Sequence, residues 1–291
     1  MPPSIAVLGS LHLDIVVHAP RLPLLGETLM GQRWAPVPGG KGLNQAVACA
    51  RAGVNTRMLG ATGTDDFAAP LVAHLRAHQV DTSGVKQIAG ARSGMCVVTT
   101  ESGGDYSAVV VSGVNASLTI DDVAGWGHDL TASSALVLQN EVPREVNVAA
   151  AHCMARLGRP VILNAAPFRT LEPQDLEGVT LLVVNAVEAE MMGAAPVVDL
   201  PSAMRASAQL HEALRVAVVV TAGPHGVAWT ETDGLSRQVA GQPVQVISTL
   251  GAGDTFVGHL AAALVGGNTL AVAIHSANHA AAQFVGTPRV V

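Results

Sequence analysis

Short apolar segments alternate with longer segments of helical periodicity along most of the chain. The apolar segments have the length of strands, carry few polar residues, and lie at 5–9, 56–60, 135–139, 160–163, 181–185 and 216–221. Strands that are apolar on both faces are typical of a parallel sheet covered by helices on both sides. Segments rich in helix formers lie between them, at 42–53, 66–79, 143–157 and 203–214. The pattern predicts an α/β fold with a central, mostly parallel sheet and helices on both faces.

Two segments depart from this alternation. Residues 12–38 contain fragments of period two at 12–17 and 28–34, with prolines and no helix signal, and residues 94–111 read as two strands around the turn 101–105. Together they predict a small β-sheet that projects from the main sheet and covers a ligand or a partner subunit. Because no linker is visible, we expect one domain, 1–291, with a lid formed by about 12–38 and 94–111.

Composition and charge exclude several classes of protein. With 49% hydrophobic and 13% charged residues the chain is globular, and no apolar run approaches the roughly 18 residues of a membrane span. The start of the chain lacks the pattern of a signal peptide, so we expect a cytoplasmic protein without a membrane partner. Its three cysteines lie far apart, which argues against a disulfide framework or a zinc site. A formal net charge of −6 without a basic cluster argues against nucleic-acid binding.

The stretch STLGAGDTFVGHL, at 248–260, places three small residues before an aspartate at the start of an apolar helix. The backbone N–H groups of Gly251, Ala252 and Gly253 can converge on one point, where the helix dipole adds positive charge, which makes an anion hole. Asp254 beside it is suited to take a proton from a hydroxyl that attacks a phosphate. The motif therefore indicates phosphoryl transfer, although GxGD alone also fits a helix start that merely packs closely.

Two further sequence motifs place polar groups at the ends of helices or strands. In PGGKGLNQA, at 38–46, Gly40, Lys41 and Asn44 stand where they can meet on a polyhydroxylated ligand; a solvated turn is the alternative. In GSLHLD, at 9–14, Asp14 follows the first strand and can accept two sugar hydroxyls, or simply cap a turn. The pattern of a P-loop is absent from the sequence.

The motifs taken together resemble the ribokinase family of carbohydrate and nucleoside kinases, also called the PfkB family. They occur in the family's order, from Gly9 to about Phe284: GSLHLD, GET, PGGKGLNQA, GATGTDDF, LQNEVP, NAAP, NAVEAE, VVVTAGPHGV and TLGAGDTF. PGGKGxNQA and GAGDTFxG are specific to the family, and the first is similar to the ribokinase branch. The resemblance implies a larger α/β domain with a β-sheet lid, and ATP and Mg²⁺ as cofactors.

The resemblance also implies roles for individual residues. Asp254 matches the general base, and Gly251, Ala252 and Gly253 match the anion hole for the γ-phosphate. The remaining matches are sugar contacts at Asp14, Gly40, Lys41, Asn44 and Glu141, magnesium organised through water by Asn185 and Glu188, and nucleotide contacts at Asn185, Thr221, Gly223, Gly226 and Asn278.

Three positions depart from the family's pattern. His12 stands where the family has an asparagine that contacts the sugar, which favours a pocket selective for something other than ribose, or a neutral histidine making the same kind of hydrogen bond. Ser248 replaces an aspartate that helps to hold a monovalent cation, and the segment VGTPRVV, 285–291, is shorter than the family's last loop and strand. We therefore expect potassium to activate the protein weakly or not at all.

The resulting expectation is an ATP-dependent sugar kinase that phosphorylates a primary hydroxyl. A nucleoside kinase of the same family is the nearest alternative, and a ligand-binding regulator that lost activity is a third. Intact Asp254, Asn185 and Glu188 argue against the third. By analogy with related lids, we also expect a homodimer formed through the lid.

Overall fold

A computed structural model describes residues 2–101 and 106–287. The strands are β1 (Ser4–Leu8), β2 (His12–Ala19), β3 (Arg33–Gly39), β4 (Asn55–Thr62), β5 (Asp81–Gln87), β6 (Gly94–Glu101), β7 (Tyr106–Val111), β8 (Ala135–Gln139), β9 (Val161–Asn164), β10 (Leu181–Asn185), β11 (Ala217–Thr221), β12 (Gly226–Thr230) and β13 (Ser236–Ala240). The helices are α1 (Lys41–Arg51), α2 (Ala68–Ala77), α3 (Ile120–Gly125), α4 (Gly127–Ala132), α5 (Arg144–Ala155), α6 (Ala186–Met191), α7 (Leu200–Leu214), α8 (Ala252–Val265) and α9 (Leu270–Val285).

The large sheet has nine strands in the order β13-β12-β11-β10-β9-β8-β1-β4-β5. Neighbours from β11 to β5 pair in parallel, and β12 and β13 add an antiparallel edge. Alternate residues of β1 face two different cores: Ile5 and Val7 pack with α1, α8 and α9, whereas Ala6 and Leu8 pack with α5 and α7. Burial on both faces explains why these strands are continuously apolar, and the predicted α/β fold is confirmed.

The small sheet has four strands in the order β3-β2-β6-β7. Strand β2 pairs antiparallel with β3 and parallel with β6, and β6 pairs antiparallel with β7. The strand expected at 28–34 is wrong, because the paired residues are Arg33–Gly39. Pro36 and Pro38 are tolerated there because β3 is the edge of the sheet, where a missing N–H breaks no ladder. Of the predicted turn 101–105, residues 102–105 lie outside the described part.

Some element boundaries differ from the expectation. Helix α7 begins at Leu200 rather than near Ala203, because Asp199 caps it: its side chain accepts a hydrogen bond from the N–H of Ser202. Strand β5 was not predicted, since Asp81–Gln87 is polar and forms an edge of the large sheet. In the described ranges, no helix is both long and apolar enough to cross a membrane. Of the C-terminal segment 285–291, residues 288–291 lie outside these ranges.

Candidate active site

The carboxyl ends of the parallel strands meet at one edge of the large sheet, beneath the small sheet. A cavity of about 1110 Å³ lies there. It is lined by most of the residues singled out in the sequence, namely His12, Asp14, Gly40, Lys41, Asn44, Glu141, Asn185, Glu188, Thr221, Gly251, Gly253 and Asp254. Residues as far apart in the chain as His12 and Asp254 thus share one cavity, at the strand ends where α/β sheets bind ligands.

Asp254 lies in the first turn of α8. Gly251 precedes this helix with φ 81°, a left-handed conformation that glycine adopts without the strain a side chain would bring. Within the described residues, no side chain caps the start of α8, although the N–H of Ala252 donates to the carbonyl of Thr249 at 3.1 Å. The N–H groups of Gly251 and Gly253 on either side of it can serve a ligand. The helix thus presents a positive dipole end beside a buried carboxylate, as the sequence predicted.

Both oxygens of the Asp254 carboxylate accept hydrogen bonds from α1. Asn44 Nδ2 donates to Oδ2 at 3.1 Å, and Gln45 Nε2 donates to Oδ1 at 2.9 Å. Burial raises the pKa of Asp254, while Lys41 and the two hydrogen bonds lower it. A carboxyl whose pKa lies above its ordinary value is a stronger proton acceptor once ionised, which suits a general base.

Glu141, which follows β8, caps the start of α1 from a distance of 100 residues. Its Oε2 accepts hydrogen bonds from the N–H of Lys41 at 2.9 Å and from Ser10 Oγ. Gly40, the residue before α1, has φ 91° and contributes no side chain of its own. Glu141 therefore fixes the helix start that presents Gly40 and Lys41, a structural role that the sequence did not reveal.

The ends of β2 contribute two unusual groups. His12 is 2% exposed, and its Nδ1 lies 3.8 Å from Glu141 Oε2. Burial lowers the pKa of His12 despite Glu141, so its imidazole is neutral near pH 7. Burial, with Glu141 and Asp254 nearby, raises the pKa of Asp14 to about 7. Among described residues, neither His12 Nε2 nor Asp14 Oδ1 has a hydrogen-bond partner, although both atoms are buried and both residues line the cavity.

Asn185 and Glu188 form a reciprocal capping box at the start of α6. Asn185 Oδ1 accepts from the N–H of Glu188, and Glu188 Oε2 accepts from the N–H of Asn185, both at 2.8 Å. Each oxygen keeps a second lone pair, and both residues line the cavity. Burial raises the pKa of Glu188. A carboxylate and an amide oxygen are the donors Mg²⁺ prefers, so the pair fits a magnesium ion held through water.

The remaining predicted nucleotide contacts do not line the cavity described above. Gly223 lies in the turn between β11 and β12, and Gly226 is the first residue of β12. Ala252, predicted for the anion hole, is the first residue of α8 and does not line the cavity either. Asn278 Nδ2 donates to the carbonyl of Ala240 at 2.9 Å, so its amide is tied to β13. In the described ranges, no group of three or more His, Cys, Asp or Glu residues is arranged to hold a metal ion.

Comparison with known proteins shows the family to which this chain belongs. The chain matches the pfkB family carbohydrate kinases over residues 2–290. It is 33% identical over 286 residues to a ribokinase of Bacillus subtilis (strain 168) and 32% identical over 282 residues to one of Haemophilus influenzae, covering 97% of this chain and 92% of each relative. The solved structure of Arabidopsis thaliana ribokinase complexed with ribose and ATP superposes with a TM-score of 0.89 at 28% identity, covering 100% of this chain and 95% of that one.

The fold and the matched relatives define an ATP-dependent carbohydrate kinase, as the sequence predicted. The chain belongs to the pfkB family of carbohydrate kinases. The expected likeness to the ribokinase branch is confirmed by these relatives.

Proposed function

We propose that this protein transfers the γ-phosphate of ATP to a primary hydroxyl of a sugar, ribose or a related carbohydrate, with Asp254 as general base. The observation that carries the proposal is the buried Asp254 carboxylate, held by Asn44 and Gln45 beside an α8 start without a side-chain cap. Its cavity also holds Asp14 and Lys41. Relatives named ribokinase, and the likeness to one bound to ribose and ATP, support the choice of substrates.

The acceptor half of the cavity would hold the sugar. Asp14 Oδ1 supplies a buried acceptor without a partner in the described chain, which suits a sugar hydroxyl. Lys41, Asn44 and Glu141 add donors and acceptors from α1 and from the end of β8, and Gly40 contributes its backbone. His12 Nε2 offers one more polar atom where the family has an asparagine.

In the transfer step, Asp254 accepts the proton of the attacking hydroxyl. The sugar oxygen then forms a bond to the γ-phosphorus while the bond from phosphorus to the leaving oxygen of ADP breaks. The N–H groups of Gly251 and Gly253 would meet the negative charge of the transferred phosphoryl group, and that of Ala252 would join them on release from the carbonyl of Thr249. Bound Mg²⁺ supplies neutralisation of phosphate charge, and Asn185 and Glu188 would hold it. Thr221, Gly223, Gly226 and Asn278 would line the nucleotide side.

We further propose that residues 1–291 act as one domain and that the small sheet serves as its lid. The small sheet lines the acceptor half of the cavity with His12, Asp14 and Cys96. Its edge strand β7 exposes Val109, Val110 and Val111, which supports pairing with a second copy through this edge. Light scattering should give the mass of a dimer, and Val109→Lys should lower it to that of a monomer.

A coupled ADP-release assay tests the function directly. We would present pentoses, hexoses, sugar phosphates and nucleosides with ATP and Mg²⁺, and locate the new phosphate by ³¹P NMR. The proposal expects the highest kcat/KM with a pentose and a phosphate on its hydroxymethyl oxygen. A preference for a nucleoside would favour the alternative, a nucleoside kinase. If no compound in the panel caused release of ADP, the proposal would be wrong.

A further inference from the structure

A chain of buried amides lies directly behind Asp254. Gln45, on α1, is fully buried and donates its Nε2 hydrogens to Asp254 Oδ1 at 2.9 Å and to Asn164 Oδ1 at 3.0 Å. Its Oε1 accepts a hydrogen bond from Gln139 Nε2 at 2.8 Å. Gln45, Gln139 and Asn164 come from α1, β8 and β9, so three separate elements meet at this point.

The orientation of the Gln45 amide is set by its neighbours. Asn164 Nδ2 donates to the carbonyl of Val183 at 3.1 Å, which turns Asn164 Oδ1 toward Gln45. If Gln45 were turned over, its Oε1 would face two oxygens and its NH₂ group would face that of Gln139. Only one orientation therefore satisfies the group, and it directs a donor at Asp254.

Gln45 and Asn44 are adjacent in sequence but differ in what they can meet. Asn44 lines the cavity, so a bound sugar can compete for its amide. Gln45 is 0% exposed and lies behind the carboxylate, where a substrate does not reach. Its hydrogen bond to Asp254 is therefore the one that persists with and without a ligand.

We propose that Gln45 is a positioning residue, which fixes the Asp254 carboxylate with one oxygen anchored behind the cavity and the other facing the acceptor hydroxyl. The proposal rests on the proposed function of Asp254 as general base. The hydrogen bond from Gln45 also lowers the pKa of Asp254 against the effect of burial. Without it, the carboxylate would lose an anchor and would bind a proton more readily.

Gln45→Met tests the proposal, because it keeps the length of the side chain and removes its donors. We expect kcat at pH 7 to fall roughly 10-fold or more, the acid limb of the kcat profile to move up by about one pH unit, and KM for the sugar to stay within about 3-fold. Asn147→Leu is the matched control. It removes a 4%-exposed amide that donates to the Gln139 carbonyl but does not contact Asp254. It should leave the acid limb in place.

A second measurement does not depend on kinase activity. The Asp254 carboxyl can be titrated by ¹³C NMR without substrate, its signal being the one missing from Asp254→Asn. We expect a higher pKa in Gln45→Met than in the wild type, and an unchanged titration would overturn the proposal. If that variant does not fold, Gln45→Leu removes the same donor with another apolar side chain, and an unchanged Asp254 titration in it would be equally contrary. Failure of the proposed function would show separately, as an active Asp254→Asn.

Discussion

The two halves of the cavity are built in different ways. The acceptor half consists of side chains on buried elements, such as Asp14, Asn44 and Glu141, which come from β2, α1 and the end of β8. The donor half consists largely of the start of α8, with Thr221 at the end of β11 and with Thr249 and Leu250 of the segment 242–250 before α8. That segment exposes apolar side chains, including Ile247 at 52% and Leu250 at 39%.

The difference indicates which half of the cavity determines specificity for the substrate. The acceptor half holds acidic groups close together before any ligand binds, as the raised pKa of Asp14 and its unpartnered Oδ1 in the described chain indicate. A sugar with hydroxyls in matching places would relieve this arrangement. In the proposed function the donor half would bind phosphate largely through backbone N–H groups, which depend little on the side chains there except at Gly251, whose left-handed conformation favours glycine. Side-chain substitutions should therefore affect sugar binding on the acceptor half, whereas on the donor half they should matter mainly at Gly251 and at Glu188. Asp254 lies at the junction between the two halves.

Asp254, at that junction, should give the largest effect. Asp254→Asn keeps the shape of the side chain and removes the proton acceptor, so kcat should fall roughly 10²- to 10⁴-fold. Sugar and ATP affinity by calorimetry should stay within a few-fold. Asp199→Asn is a matched control, because it changes an exposed helix cap that does not line the cavity. Turnover of Asp254→Asn within 10-fold of the wild type would remove Asp254 from its role.

Glu188, on the phosphate side, should give the next largest effect. Glu188→Gln keeps the size of the side chain and removes its charge, which should weaken the apparent Mg²⁺ affinity roughly 10- to 100-fold, as changes in metal-site groups typically do. A titration of turnover with Mg²⁺ measures this shift. Saturating Mg²⁺ should restore much of the activity, and a Mg²⁺ requirement equal to that of the wild type would contradict the assignment.

Asp14 tests whether the acceptor half sacrifices stability for binding. Its pKa is raised from 3.8 to about 7. Between these two pH values the folded protein holds a proton on Asp14 that the unfolded chain has released. The stability from this proton is complete below about pH 4 and is lost as pH rises through about 7. Asp14→Asn should therefore increase the free energy of unfolding at pH 8 by about 2 kcal/mol, which raises the melting temperature by about 4 °C. At pH 4 the melting temperature should change little. It should also weaken sugar binding.

Thermal unfolding of the wild type and Asp14→Asn across this pH range provides the check. If Asp14→Asn were less stable than the wild type at both pH values, the ionised Asp14 carboxylate would not destabilise the folded protein. The comparison of the two halves would then lose its main support.

The smallest effect concerns potassium on the donor half. Ser248 offers a neutral hydroxyl that accepts a hydrogen bond from the N–H of Leu250 at 3.4 Å, in place of the family's carboxylate. Exchange of sodium or choline for potassium should therefore change turnover less than about 2-fold, since a neutral oxygen attracts a cation weakly. Ser248→Asp is the comparison variant. A several-fold rise in the wild type would contradict this prediction.

The sequence predicted the parts of this protein that local physics determines. The places of Gly251 before a helix and of Asp254 in its first turn could be predicted, because a glycine before a helix and an acid in its first turn are local signals within a few residues. The N-x-x-E spacing at Asn185 could also have been identified as a capping box. Gln45 and Ser10 could not, because their partners Asp254 and Glu141 are 209 and 131 positions away. Strand β5 was missed because edge pairing, rather than burial, holds it in the sheet.

The pH dependence of kcat in the wild type and in Asp254→Asn, measured side by side with saturating sugar, tests the central claim most directly. Because burial raises the pKa of Asp254, the wild type should lose turnover on acidification with an acid limb above the ordinary range of aspartate. The residual turnover of Asp254→Asn should lack that limb. The same acid limb in both proteins would show that another group accepts the proton and that Asp254 is not the base.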